Sequence, residues 1–192
     1  MHQGGPQTQF IGFGDPSQVE NRATWKMNSP IDIPHIKPVH GTLLVLREAG
    51  RIHLIRRTKE PYRDLLGLPG GKMEDGETPL DAARREMREE TGLRRPTPRW
   101  LGRVTDLLIE GHPPFAMFIL DVFEAELAGR TLPQPSFEGV IVRLAMDELE
   151  KHASEIIPAD LVIITRMVIE RSTTKLDLVS IKKGAEYEVR TR

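Results

Sequence analysis

Gly71-Lys72-Met73-Glu74-Asp75-Gly76-Glu77-Thr78-Pro79-Leu80-Asp81-Ala82-Ala83-Arg84-Arg85-Glu86-Met87-Arg88-Glu89-Glu90-Thr91-Gly92-Leu93 is the stretch on which the reading of this chain turns. A helix is expected from about Pro79 to Thr91. Thr78 is placed to cap its first turn, and Asp81 stands three residues after that cap. Pro79 suits the first turn because an N–H there would find no partner inside the helix. Gly92 is a natural terminator. At about 100° per residue, Glu86, Glu89 and Glu90 fall within an arc of roughly 100°. Leu80, Ala83 and Met87 form a separate apolar stripe that would bury the helix against a sheet. Arg84, Arg85 and Arg88 take the remaining side.

Like charges at i,i+3 and i,i+4 cost a few tenths of a kcal/mol per pair on a bare helix. A solvated face tolerates that, and charge runs usually mean no more. Here, however, the carboxylates share one column although arginines stand beside them. A hard divalent cation would turn the repulsion into a ligand set, because Mg²⁺ and Mn²⁺ prefer oxygen donors. Arg85, about 40° from Glu89 on the helical wheel, is placed to orient that carboxylate.

Outward from this helix the pattern is one of strands. Thr42-Leu43-Leu44-Val45-Leu46 reads as a buried strand, Glu48-Ala49-Gly50 as a turn, and Ile52-His53-Leu54-Ile55 as the hairpin partner. Residues 58–66 form a charged loop leading into Leu68-Pro69-Gly70-Gly71. Trp100 to Ile109 and Phe115 to Phe123 read as two more strands, and Gly139 to Ala145 as another. Met146 to His152 and Ala159 to Arg171 look helical, and Leu176 to Val189 alternates as a final strand pair. Such a mixture indicates a layered α/β or α+β domain.

Residues 1–37 differ from the rest, being rich in Gly, Gln and Asn and punctuated by Pro6, Pro16, Pro30 and Pro34. They read either as a disordered arm or as an extension that docks Phe10, Ile11, Phe13 and Trp25 on the domain or on a second subunit. A homodimer is one expectation of the latter.

The composition removes alternatives. With no cysteine among 192 residues, disulfide scaffolds, thiolate zinc sites, iron–sulfur clusters and cysteine nucleophiles are all excluded. Lys and Arg total 27 against 28 Asp and Glu, so no general polycation is available for nucleic acid, and none is expected as a partner. Met1-His2-Gln3-Gly4-Gly5 lacks the basic start and apolar core of a secretory signal. The longest apolar stretch, Pro113 to Leu120, is far short of the roughly 20 residues needed to span a bilayer. A cytoplasmic protein with no membrane partner is expected.

The spacing Gly71, five residues, Glu77, seven residues, then Arg85-Glu86-Met87-Arg88-Glu89-Glu90-Thr91-Gly92-Leu93 resembles the Nudix box at every defined position. Met87 and Leu93 fill its bulky aliphatic positions. The resemblance implies an α/β fold, the Nudix-type α/β/α sandwich with a mixed β-sheet. It would span residues 38–175, leaving 176–192 as a C-terminal strand pair or tail. It also implies Mg²⁺- or Mn²⁺-dependent hydrolysis of a diphosphate linkage in a nucleoside di- or triphosphate derivative, by water attack at phosphorus. Carried over by position, Glu89 and Glu90 would be the principal metal ligands, with Glu86 close by and the Gly71 carbonyl completing the set. Arg85 would orient the glutamates, and Glu77 would hold the join of loop and helix. Glu86 is favoured as general base. Glu138, just before a strand, is the later candidate, with an exposed loop carboxylate as the equal alternative.

The substrate is less legible. The extended motif of coenzyme A hydrolases is not reproduced. Leu108 and Ile109 stand where many ADP-ribose hydrolases carry a proline, and the tyrosine of many dinucleoside polyphosphate hydrolases is absent there. Gly71-Lys72 through Pro79 looks loosely like the MutT type, which favours nucleoside triphosphates. Tyr62, Phe115, Phe118 and Phe137 are the aromatics that could stack on a base, with His112 as a polar neighbour; Phe115 and Phe118, in an apolar strand, read more readily as core, and Tyr62 and His112, both in loops, are the better rim candidates. Arg57, with Arg56, Lys59 and Arg63, is placed to meet phosphates, a solvated loop being the plainer reading. A Nudix-like isopentenyl diphosphate isomerase needs a catalytic cysteine and is excluded. The rival from another class is a non-catalytic, Nudix-like nucleotide sensor or regulator. Against it, the box is whole, and the region after Ala159 offers one convincing helix where an appended helix-turn-helix needs more.

Overall fold

Alternation along one strand sets the frame. In the computed structural model, which describes residues 36–93, 97–110, 116–127 and 139–192, strand β1 runs Val39–Glu48. Leu44 and Leu46 point to one face and Val45 to the other, and all three are fully buried. A strand buried on both sides must be covered by helices on both sides.

β1 turns at Ala49-Gly50 into β2 (Arg51–Arg57). Both turn residues take positive φ, 45° and 77°, as a two-residue hairpin turn requires. β3 (Leu66–Gly67) pairs with β2, and β4 (Gly70–Lys72) pairs antiparallel with the first half of β1. Helix α1 (Pro79–Thr91) follows. The Thr78 hydroxyl accepts from the Asp81 N–H at its start, and Gly92 closes it in the left-handed conformation, φ 71°. Capping and termination are as the sequence predicts.

β5 (Arg99–Ile109) and β6 (Ala116–Glu126) pair antiparallel, and β6 lies parallel beside β1. β7 (Gly139–Ala145) pairs with β2. Met146–Glu155 is a 3₁₀ helix with Leu149 as its buried residue, and short helix α2 (Pro158–Ile163) runs into a π-helical segment, Ile164–Ile169. The expected single α-helix over 159–171 is therefore a composite. Widening the turn lets Ile163, Ile164, Met167 and Val168 all reach the core.

β8 (Lys175–Lys183) then lies parallel against β5, and β9 (Glu186–Thr191) pairs with β8. The strand order β3-β2-β1-β6-β5-β8-β9, with β4 beside β1 and β7 beside β2, makes one mixed sheet. α1 covers one face through Ala83, Met87 and Leu80 against Leu44, Leu46 and Phe123. The opposite face carries α2 and the π-helical segment over Val45, Val104, Val122 and Leu178. This is the α/β/α sandwich. No helix among the described residues is long and apolar enough to cross a membrane.

The C-terminal strands are built into this core, since Leu176 and Leu178 of β8 are buried within it. Leu178→Ala should cost about 2–5 kcal/mol in urea unfolding, the range for a buried leucine that leaves a cavity. A loss below about 1 kcal/mol would show that β8 lies outside the cooperative core.

Candidate active site

The site is assembled where α1 crosses β4. Gly70 adopts φ 150°, and a side chain on it would strike the backbone of Thr42 and Leu43 in β1. A Cβ on Gly71 would overlap the carboxylate of Glu86. Two successive glycines thus bring the β4 backbone directly against the helix glutamates.

The glutamates divide. Glu86 and Glu90 are buried, whereas the Glu89 side chain is 52% exposed. The Gly70 N–H donates to Glu90 Oε2 at 2.6 Å. Glu86 Oε1 accepts from Arg85 Nη1 at 2.7 Å. Burial pushes the Glu86 carboxyl above the usual carboxylate range, against the opposing pull of Arg85.

Arg85 leaves the group formed with Arg84 and Arg88 and turns inward. Its Nε and Nη2 donate to the two oxygens of Glu77, at 2.8 and 2.9 Å, and Nη2 also reaches the Lys72 carbonyl at 2.9 Å. Glu89 Oε2 lies farther off, 3.5 Å from Nη1. The guanidinium therefore serves Glu77 and Glu86 first. Glu77 also accepts the Glu74 N–H at 2.9 Å. Hydrogen bonds from Arg85 and then from that N–H hold the Glu77 carboxyl down at about 2. The loop 72–77 is in this way tied to the helix it precedes.

A cavity of about 570 Å³ opens beside this junction, between the sheet and α2. Gly70, Gly71 and Lys72 line it, and so do Arg57 at the end of β2 and Tyr62 in the loop that follows. Of the residues singled out in the sequence, Gly71, Arg85, Glu86, Glu89 and Glu90 meet at the junction, while Arg57 and Tyr62 stand on the cavity wall. Glu138, His112, Phe115 and Phe137 lie outside the described residues, as do nearly all of residues 1–37. Phe118 corrects the core reading. It is half-buried and lines the cavity, because the cavity lies over that end of β6.

Other residues on the wall were not anticipated. Asp106 of β5 and Asp160 of α2 are buried there. The signal was a single acid in an otherwise apolar run. Val104, Asp106 and Leu108 alternate onto one face of β5, and Asp160 interrupts Ile156 to Ile164. Leu68 N–H donates to Asp160 Oδ2 at 2.7 Å. Burial pushes the Asp160 carboxyl up to about 7, against that hydrogen bond and the charge of Arg57.

Among the described residues, no three Asp, Glu or His side chains form a ready cage for a metal ion. The donors at the junction are nonetheless all oxygen, which suits a hard divalent cation. Glu86 is a buried carboxylate whose burial outweighs its single arginine partner, and such a group gains from a cation. The donor chemistry fits such an ion.

Known proteins resemble this chain in sequence and in fold. A family profile described as NUDIX domain matches residues 37–162, more than half of the chain. An ADP-ribose pyrophosphatase of Methanocaldococcus jannaschii is 39% identical over 85 residues, which cover 43% of this chain and 50% of that protein. One of Bacillus subtilis is 35% identical over 85 residues, covering 44% and 43% respectively. The chain spans about half the length of the curated relatives it matches. Among solved structures, a MutT protein from Bacillus halodurans aligns with a TM-score of 0.61 and 22% identity over 79% of this chain and 97% of that one. At that identity the likeness is one of fold.

The Asp160 carboxyl carries a pH dependence. Its folded value of about 7 exceeds the ordinary 3.8, so between those values the folded protein holds a proton that the unfolded chain has lost. Stability from this group falls as pH rises through that window, by up to about 1.4 kcal/mol per unit. Asp160→Asn removes the effect while keeping an acceptor for Leu68. Its melting temperature should therefore gain on the wild type between pH 5 and pH 8. An equal difference at both pH values would refute the assignment.

Proposed function

The chain belongs to the NUDIX domain family, and on that premise we propose that it is a divalent-metal-dependent pyrophosphohydrolase. Its substrate is a nucleoside di- or triphosphate derivative cleaved at the diphosphate linkage by water. The observation that carries the reading is the junction itself. A helix face bearing Glu86, Glu89 and Glu90 abuts the bare backbone of Gly70 and Gly71, and these two glycines also line a cavity sized for a small organic ligand.

A diphosphate carries charge that repels an attacking hydroxide. Gly71, Glu86, Glu89 and Glu90 would hold the cation, Mg²⁺ or Mn²⁺, which supplies charge neutralisation and lowers the pKa of a bound water. Glu86 would accept a proton from the attacking water at its carboxylate, a role that its burial favours by raising its basicity. Arg85 keeps Glu86 from turning away through the 2.7 Å contact, and Glu77 anchors Arg85 in turn. Arg57 and Tyr62 meet the nucleotide on the wall. The names of the two curated relatives put ADP-ribose first among the substrates to try.

A ³¹P-monitored panel with Mg²⁺ and with Mn²⁺ tests this directly: ADP-ribose, NADH, nucleotide sugars, dinucleoside polyphosphates and dNTPs, including oxidised ones. Glu89→Gln and Glu90→Gln should each lower kcat by on the order of 10²–10³, as expected for losing one group that stabilises transition-state charge. Circular dichroism should show the fold intact. Unchanged rates in both variants would defeat the proposal. Tight nucleotide binding by the wild type with no turnover across the panel would replace the enzyme by a sensor.

A further inference from the structure

Two residues on the cavity wall carry a buried oxygen without a hydrogen-bond partner, Thr42 at Oγ1 and Asp106 at Oδ1, and of the two only Asp106 is an acid. Asp106 is only 6% exposed, it lines the cavity, and its Oδ1 is buried without a hydrogen-bond partner. Its other oxygen, Oδ2, accepts from Ser180 Oγ at 2.9 Å. We infer that Asp106 is the residue by which the cavity reads the nucleobase, its Oδ1 accepting an N–H from the base edge. The inference rests on the nucleotide reading above and assigns one end of that site.

Three observations carry it. A buried acceptor left unpaired costs free energy, so the folded protein keeps such an atom where a ligand supplies the missing donor. The carboxylate is also fixed in advance. Ser180, itself 2% exposed, grips Oδ2 from β8, and β8 lies beyond the residues 37–162 that match the family profile. Tyr62 reinforces the grip. Its side chain bonds with Ser180, and its ring lies 4.2 Å from that of Tyr187 in β9. The side chain that grips the acceptor, Ser180, thus lies outside the matched region, and Tyr62 supports it from within.

Position supplies the third observation. Asp106 pairs with Phe118 in β6, which pairs with Val39 in β1, and β4 lies on the far side of β1. Three strand spacings separate Asp106 from the Gly70–Lys72 backbone, about 14 Å at roughly 4.8 Å each. That matches the reach from a base edge to a diphosphate. Between the two ends the wall is apolar, with Val104, Leu120 and Ile163, which suits a flat ring rather than a sugar. The ligand group is thus an N–H of a nucleobase. A ribose hydroxyl offers similar donor chemistry, and the test separates the two.

Calorimetry on the full chain with nucleoside monophosphates isolates recognition from turnover. The probes are AMP against purine riboside monophosphate, GMP against IMP, and each ribonucleotide against its 2′-deoxy form. The wild type should favour the amino-bearing member of at least one base pair of probes by about 10- to 100-fold, the worth of one hydrogen bond to a charged group. Asp106→Val should erase that preference, because it removes the acceptor. An aspartate with a merely structural role would leave the preference as it is. If Asp106→Val fails to fold, Asp106→Ala, which also lacks an acceptor, decides, and a preference equal to the wild type's would overturn the inference. So would a preference tracking the 2′-hydroxyl, or an Asp106→Val ratio unchanged from wild type. A wild type that hydrolyses nucleotides while Asp106→Val discriminates as before sinks this inference alone. A wild type that binds no nucleotide sinks it together with the proposed function.

Discussion

The contact of carboxylate on bare backbone at Gly70 and Gly71 governs the geometry around it. Glu90 accepts the Gly70 N–H, and Glu86 lies where a side chain on Gly71 would be. Because neither glycine interposes a Cβ, α1 sits close enough to β4 for Met87 and Ala83 to pack on Leu44 and Leu46. Gly41 repeats the device across the strand pair. A Cβ there would press on the Gly71 carbonyl, so three glycines share one close crossing. The approach that buries the apolar stripe of α1 is the same one that presents its acidic column to the cavity mouth.

Such a site is costly to fold around. Thr42 Oγ1 and Asp106 Oδ1 are buried without partners, and Asp160 and Glu86 both have carboxyls pushed upward by burial. Thr42, Asp106 and Asp160 line the cavity, and Glu86 meets Gly71 on its wall. Elsewhere, buried charge is matched. Glu124, for example, is met by Arg47, Arg99 and Arg171 at 2.5–2.9 Å. Unpartnered polar atoms also occur away from the cavity, at both ring nitrogens of His53 and at Arg47 Nε, so what marks the cavity is that two such atoms, Thr42 Oγ1 and Asp106 Oδ1, belong to residues on one wall.

How much of this the sequence made legible follows from what each signal measures. Local rules located α1 to the residue, because capping by Thr78 and closure by Gly92 depend on adjacent backbone alone. The helical wheel placed Glu86, Glu89 and Glu90 in one column, yet it had no means of saying which of them the sheet would cover. It also put Arg85 with Arg84 and Arg88. A flexible side chain follows its partners, and those partners, Glu77 and the Lys72 carbonyl, belong to a loop whose path the wheel does not contain. Phe118 and Asp106 show the same limit in opposite senses. Apolar character along β6 read as core where the sheet face is in fact open to a cavity. The acid at Asp106 gained meaning only when β8, more than 70 positions later, brought Ser180 against it.

On the proposed function, that long-range placement would also bear on the direction in which a nucleotide enters. Asp106 and Asp160 set two buried carboxyls on the cavity wall, and when ionised they would repel a phosphate. The β4 backbone and Lys72 line the same cavity three strands away from Asp106. The same pair of acids that would repel a phosphate would welcome amino and imino hydrogens. On the proposed function this would favour a base turned toward Asp106, with the diphosphate beside Glu86. The near-balance of charge over the whole chain conceals this segregation, which depends on where the sheet puts a few buried carboxylates rather than on how many the sequence contains.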